Sequence, residues 1–175
     1  MILLTGATGF LGRHVLAHLR AGGVPLTVFA QSPVPGVATW TGDLASPAPW
    51  SQAPAGVSVL YHVAGFAHRR IDSQQERDLC LQVNLHGLRR LLETLVRDDA
   101  PLQAVVLISS VSVYGIESGE RIDEDFPCAP SDPYGESKWM AEQFLQDWAS
   151  RHNVRAAILR LPLVVGGGSA PGNLG

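Results

Sequence analysis

The chain has 175 residues, enough for one domain with a full core. Its 46% apolar and 17% charged content exclude a disordered polypeptide. A net charge of −3 gives no electrostatic reason to expect nucleic acid or an anionic membrane as partner, and no apolar run reaches membrane-spanning length.

Short apolar runs alternate with helical patterns. The start, Met1-Ile2-Leu3-Leu4-Thr5-Gly6, lacks the basic residues and the length of an export signal, so a cytoplasmic location is expected. Ile2–Thr5 reads as a strand. Gly12–Ala21 reads as a helix, stopped by Gly22-Gly23 and Pro25. Leu26–Ala30 and Val37–Thr41 follow as strands. Ala45–Gly56 carries Pro47, Pro49 and Pro54, so any helix there is short or broken. Val57–Val63 is a fourth strand. The spacing of Leu79, Val83, Leu88, Leu91, Leu92 and Leu95 predicts one long helix over Gln74–Arg97. Leu102–Ser109 is a fifth strand, and Ile116–Pro130 a loop with an acidic centre at Asp123-Glu124-Asp125. Ser131, Asp132 and Pro133 start a helix that runs to Arg151. Arg155–Leu161 is a sixth strand, and Gly166-Gly167-Gly168 opens a loop that runs to the end. This alternation predicts the α/β class, with a doubly wound parallel sheet between two helical layers in a single domain over residues 1–175.

Thr5-Gly6-Ala7-Thr8-Gly9-Phe10-Leu11-Gly12 joins the first strand to the first helix. That is where a dinucleotide pyrophosphate needs close backbone approach, free N–H groups and the helix dipole. An acid that accepts from the adenosine ribose is expected at the end of the second strand, but the chain reads Phe29-Ala30-Gln31-Ser32 there. Gln31 can bond a ribose hydroxyl without repelling a 2′-phosphate, and Arg13 favours one, so NAD and NADP both remain open. Asp43-Leu44 follows the third strand. A carboxylate there accepts from an adenine amino group, or simply starts a helix.

Lys138 is the only lysine, and it stands four residues after Tyr134 in Pro133-Tyr134-Gly135-Glu136-Ser137-Lys138. On a helix these two positions share a face. An ammonium beside a phenol favours phenolate and makes a usable base from a weak acid.

Other candidates carry less. His14 and His18 share a helix face but have no third ligand nearby, so no metal is expected. Cys80 and Cys128 have no metal spacing and read as free thiols. His62 reads as a packed core histidine. Trp139, Met140, Phe144 and Trp148 form a stripe that core packing explains for the most part. Arg69-Arg70 and Arg89-Arg90 read as solvated faces.

With these motifs in order, the chain resembles the extended short-chain dehydrogenase/reductases, in particular the NAD-dependent epimerase/dehydratases that act on nucleotide sugars. The matching pieces are the glycine motif, Gly42-Asp43-Leu44, Tyr61-His62-Val63-Ala64-Gly65, Val83-Asn84-Leu85-His86-Gly87, Ser109-Ser110-Val111-Ser112-Val113-Tyr114-Gly115, Pro133–Lys138, and Arg160-Leu161-Pro162-Leu163-Val164-Val165-Gly166. The resemblance implies a Rossmann-type fold and an NAD cofactor. It makes Tyr134 the catalytic base and acid, has Lys138 bind the nicotinamide ribose and lower the Tyr134 pKa, and has Ser110 bond the reacting sugar hydroxyl. Gly6, Thr8, Gly9, Phe10, Leu11 and Gly12 then surround the pyrophosphate. Gln31, Asp43 and Leu44 lie at the adenosine, Ala64 and Gly65 pass under the cofactor, Asn84 is structural beside the site, and Pro162 lies by the nicotinamide. A nucleotide sugar is the implied substrate, and a homodimer through the 74–97 and 131–151 helices the implied assembly. The chain departs from the pattern at the absent second-strand acid, at Gly65, at Val164-Val165-Gly166-Gly167 and in length. A C-terminal substrate lobe is therefore expected to be absent, with residues 165–175 starting a truncated connection to it. The alternatives are a reductase of another carbonyl substrate and a dinucleotide-binding module without turnover.

Overall fold

The computed structural model describes residues 1–67, 71–97 and 102–166. The Arg69-Arg70 pair and the loop from Gly167 onward lie outside the described residues. Six strands form one sheet: β1 (Ile2–Thr5), β2 (Leu26–Ala30), β3 (Ala38–Thr41), β4 (Val59–His62), β5 (Ala104–Ser110) and β6 (Arg155–Leu161). Their order is β3-β2-β1-β4-β5-β6, and every neighbouring pair is parallel. The winding therefore reverses between β1 and β4, with Thr5 opposite His62. In open sheets of this kind, ligands bind in the crevice at that reversal.

The helices are α1 (Phe10–Ala21), α2 (Gln74–Leu81), α3 (Leu88–Arg97) and α4 (Pro133–His152). On one sheet face Leu3, Leu60, Val105 and Leu107 pack against Leu88, Leu91, Leu92, Leu95, Leu145 and Trp148. On the other, Leu4 and Val28 pack against Leu16 of α1. Strands covered on both faces explain the continuous apolar runs.

The boundaries differ from the sequence reading in ways that have causes. α1 starts at Phe10, because the helix begins inside the glycine motif. β5 extends to Ser110, and its last residues pair with β6. The span Gln74–Arg97 is not one uniform helix: a π-helical turn over Gln82–Gly87 separates α2 from α3. Such turns are frequent at functional sites. β6 is an apolar run, yet it is the sheet's edge, and Leu159 is 44% exposed.

One buried charge pair ties α4 to the sheet. The Glu142 carboxylate, with 0% exposure, accepts from Arg160 at 2.8 and 3.1 Å and also from the Ser109 hydroxyl. Removing one partner of a buried pair leaves the other uncompensated. Glu142→Ala is expected to lower unfolding free energy by about 3 kcal/mol in denaturant titration. A change within about 0.5 kcal/mol would contradict the pair's structural role.

Candidate active site

At the carboxyl end of β1 the chain turns through Gly6, whose φ is +71°. A Cβ on Gly6 would lie 2.6 Å from the Ala64 nitrogen, and one on Gly12 would lie 1.8 Å from the Gly6 carbonyl oxygen. Only glycine permits both approaches. Gly9 is the N-cap of α1, which has no side-chain cap and no acid in its first turn. Its N–H groups and its positive dipole end are left for an anion.

A second hydrogen-bonded unit sets the opposite wall. The Thr5 hydroxyl accepts from the Ala64 N–H at 3.1 Å and lies 3.1 Å from His62 Nδ1. Burial lowers His62 from 6.5 to about 3, with the Lys138 charge adding to the effect, so this imidazole is neutral. In the π-helical turn, the buried Asn84 amide accepts from the Phe66 N–H at 2.7 Å and donates to Ser137 Oγ at 2.8 Å. It thereby fixes the segment after β4 against α4.

α4 carries the reactive pair. Asp132 caps it, accepting from the Tyr134 and Gly135 N–H groups at 2.9 and 3.0 Å, and Pro133 takes the first helical position. Tyr134, Lys138 and Ser110 line one cavity of about 620 Å³ with Gly9, Leu11 and Pro162. It joins, at Gly6, Thr8, Ala64 and Gly65, a cavity of about 490 Å³ lined by Gln31, Gly42, Asp43 and Leu44. The result is one long cleft with an anion-ready helix start midway and a phenol, an ammonium and a hydroxyl at one end.

The NAD dependent epimerase/dehydratase family model matches residues 2–174. The chain belongs to this family. It is 32% identical to the UDP-glucose 4-epimerase of Azospirillum brasilense over 174 residues, covering 94% of this chain and 49% of that protein. It is 30% identical to the D-erythronate dehydrogenase of Cupriavidus necator, over 93% and 55% of the two chains. A short-chain dehydrogenase/reductase superfamily protein of Agrobacterium tumefaciens, solved with bound NAD, superposes with a TM-score of 0.75 at 33% identity, over 91% of this chain and 48% of that one. The chain spans about half the length of the relatives it matches.

Within this family frame, the cleft brings together all but one of the residues singled out from sequence. Gly6, Thr8, Gly9, Phe10, Leu11, Gly12, Gln31, Asp43, Leu44, Ala64, Gly65, Ser110, Tyr134, Lys138 and Pro162 all line it. Asn84 instead lies behind the wall and acts through Phe66 and Ser137. Asp43 starts no helix; its carboxylate accepts from the Ala45 N–H at 2.9 Å. Arg13 sits over the Phe10 ring, 5.1 Å from its centroid. In the helix stripe Trp148 is buried, but Met140 is 37% exposed, so core packing accounts for less of it than the sequence suggests. Arg90 is not a solvated residue, since it bonds the carbonyls of Ser46 and Asp43. Motif reading missed Ser112, whose Oγ accepts from Ser110 Oγ at 3.0 Å, because nothing in its spacing marks it.

The electrostatics differ from expectation at one point. Burial pushes the Tyr134 phenol above its ordinary value, and contact with Ser110 opposes the shift. Burial also brings Lys138 from 10.5 down to about 8, against the influence of Glu142 and Cys80. For the phenol, burial thus outweighs the one contact that favours its ionisation. Between pH 8 and 10.5 an unfolded lysine holds a proton that folded Lys138 has released. This group's contribution to stability therefore rises with pH across that window. Denaturant titrations of wild type and Lys138→Met should show wild type gaining on the variant as pH rises through it. A pH-independent difference would contradict the burial.

Proposed function

We propose that the cleft binds NAD across the β1–β4 reversal and that the chain carries the reaction centre of a nucleotide-sugar epimerase or dehydrogenase. One observation carries this reading: Ser110, Tyr134 and Lys138 line the same cavity as the uncapped start of α1. The residues present fit a dinucleotide, since the side-chain-free approaches at Gly6 and Gly12 make the room a pyrophosphate needs. Gln31 and Asp43 flank the adenosine, and Gln31 leaves NADP acceptable as well.

When bound, the nicotinamide supplies a hydride acceptor or donor. Tyr134 takes the proton from the reacting sugar hydroxyl, or returns it in the reverse direction. The Lys138 ammonium donates to the nicotinamide ribose. Together with the positive ring it supplies the stabilisation of phenolate that burial withholds. Ser110, held by Ser112, orients the hydroxyl and bonds the developing oxyanion. The epimerase relative supports a nucleotide sugar as substrate. The dehydrogenase relative supports net oxidation as the second reading, which needs the same first proton transfer.

A homodimer through the 74–97 and 131–151 helices belongs to the same proposal. Val96 and Met140 are exposed on these helices, and Arg89 stacks over Phe144 at 4.9 Å.

Calorimetry is expected to show NAD binding by wild type and, within about twofold, by Tyr134→Phe. Hydride transfer with UDP-glucose, followed by the absorbance of reduced nicotinamide, should fall by at least about a hundredfold in Tyr134→Phe. Undiminished transfer in that variant would overturn Tyr134 as the base, and no affinity for NAD would overturn the cofactor reading.

A further inference from the structure

We infer that Arg90 is a positioning residue for the adenine end of the cleft, holding the loop after β3, together with Trp50, in the shape that reads an exocyclic amino group. The inference rests on the NAD reading above.

No helix follows β3, so the loop that carries Asp43 and Leu44 depends on side chains from elsewhere. Arg90 reaches it from α3. One guanidinium nitrogen donates to the Ser46 carbonyl and another to the Asp43 carbonyl at 2.8 Å. The Trp50 indole N–H donates to the same Asp43 carbonyl at 3.1 Å. The guanidinium lies over the Trp50 ring, 3.9 Å from its centroid, a favourable cation–π geometry. Trp50 in turn meets Phe29 and Trp40 edge-on at 4.8 and 5.7 Å, which anchors the clamp to β2 and β3. One turn before Arg90, Gly87 leaves room for Leu44, whose Cβ would lie 2.8 Å from a Cβ at that position. Arg90 Nε is buried with no partner among the described residues. The guanidinium is thus placed for the two carbonyls and the ring rather than for its own full satisfaction.

This clamp holds the carbonyl of Asp43, a residue that lines the cleft. Asp43 Oδ1 accepts from the Ala45 N–H at 2.9 Å, which fixes the carboxylate plane. Oδ2 remains to accept a hydrogen bond from an adenine amino group. Hypoxanthine presents an oxygen at the same place, and two acceptors facing each other are unfavourable. A site built to bond a donor discriminates against an analogue that lacks it.

The test compares NAD with nicotinamide hypoxanthine dinucleotide by calorimetry, with thermal melts of each variant. Wild type is expected to prefer NAD by roughly tenfold. Arg90→Met should lose most of that preference, and Arg90→Lys, which keeps a single donor, should lie between. Trp50→Phe keeps the ring but lacks the indole donor, and gives a partial loss in a protein that retains its core should Arg90→Met fail to fold. Variants that melt lower yet keep the full preference would overturn the inference, because a merely structural role moves stability and not the ratio. Equal affinity of wild type for both dinucleotides would overturn it too, with the cofactor reading intact. Affinity for neither would overturn the cofactor reading itself.

Discussion

The structure is organised around one ammonium taken out of water. Lys138 is 4% exposed, and burial brings it down from 10.5 to about 8. Glu142, one turn further along α4, opposes that shift. A fully buried carboxylate needs partners of its own, and it finds them in Arg160 of β6 and Ser109 of β5. Arg160 also donates to the Tyr114 hydroxyl at 3.1 Å and to the Glu124 carbonyl at 3.0 Å, which draws in the acidic loop. One buried charge thus involves the last two strands, the longest helix and the loop between them.

The cleft has two ends that are held differently. At the end lined by Ser110, Tyr134 and Lys138 the side chains come from regular elements, α4 and the end of β5, and Asp132 caps the helix. At the end lined by Gln31, Asp43 and Leu44 the chain is irregular, and order comes from Arg90 and Trp50 behind the loop. The segment from Asn84 to Arg90 serves both ends. Its π-helical turn aims Asn84 at the segment after β4 and at Ser137, and three residues after Gly87 Arg90 meets the loop after β3.

Much of this was legible in the sequence because it is local. The strand runs, the glycine motif and the Tyr134/Lys138 spacing each follow from short-range sterics and periodicity, and their alternation points to a parallel sheet with right-handed crossovers. The π-helical turn was not legible, because the leucine spacing across Gln74–Arg97 fits an uninterrupted helix equally well. Arg90 read as a surface charge because its partners, the carbonyls of Asp43 and Ser46, are more than forty residues away along the chain. Glu142 and Arg160 went unremarked for the same reason, since no sequence pattern marks a pair that closes across two elements. The Tyr134 pKa misled for another reason: spacing shows that a charge is near, while burial, a property of the whole fold, decides the sign of the shift.

The central claim is that one cleft places the nicotinamide end of NAD at Tyr134 and Lys138 and the adenine end at Asp43. A crystal structure of the chain with NAD tests it most directly. The account predicts the pyrophosphate at the start of α1, Lys138 Nζ within about 3 Å of a nicotinamide ribose hydroxyl, and an Asp43 carboxylate oxygen within about 3 Å of the adenine amino nitrogen. A dinucleotide bound in the reverse direction, or outside the β1–β4 crevice, would contradict it.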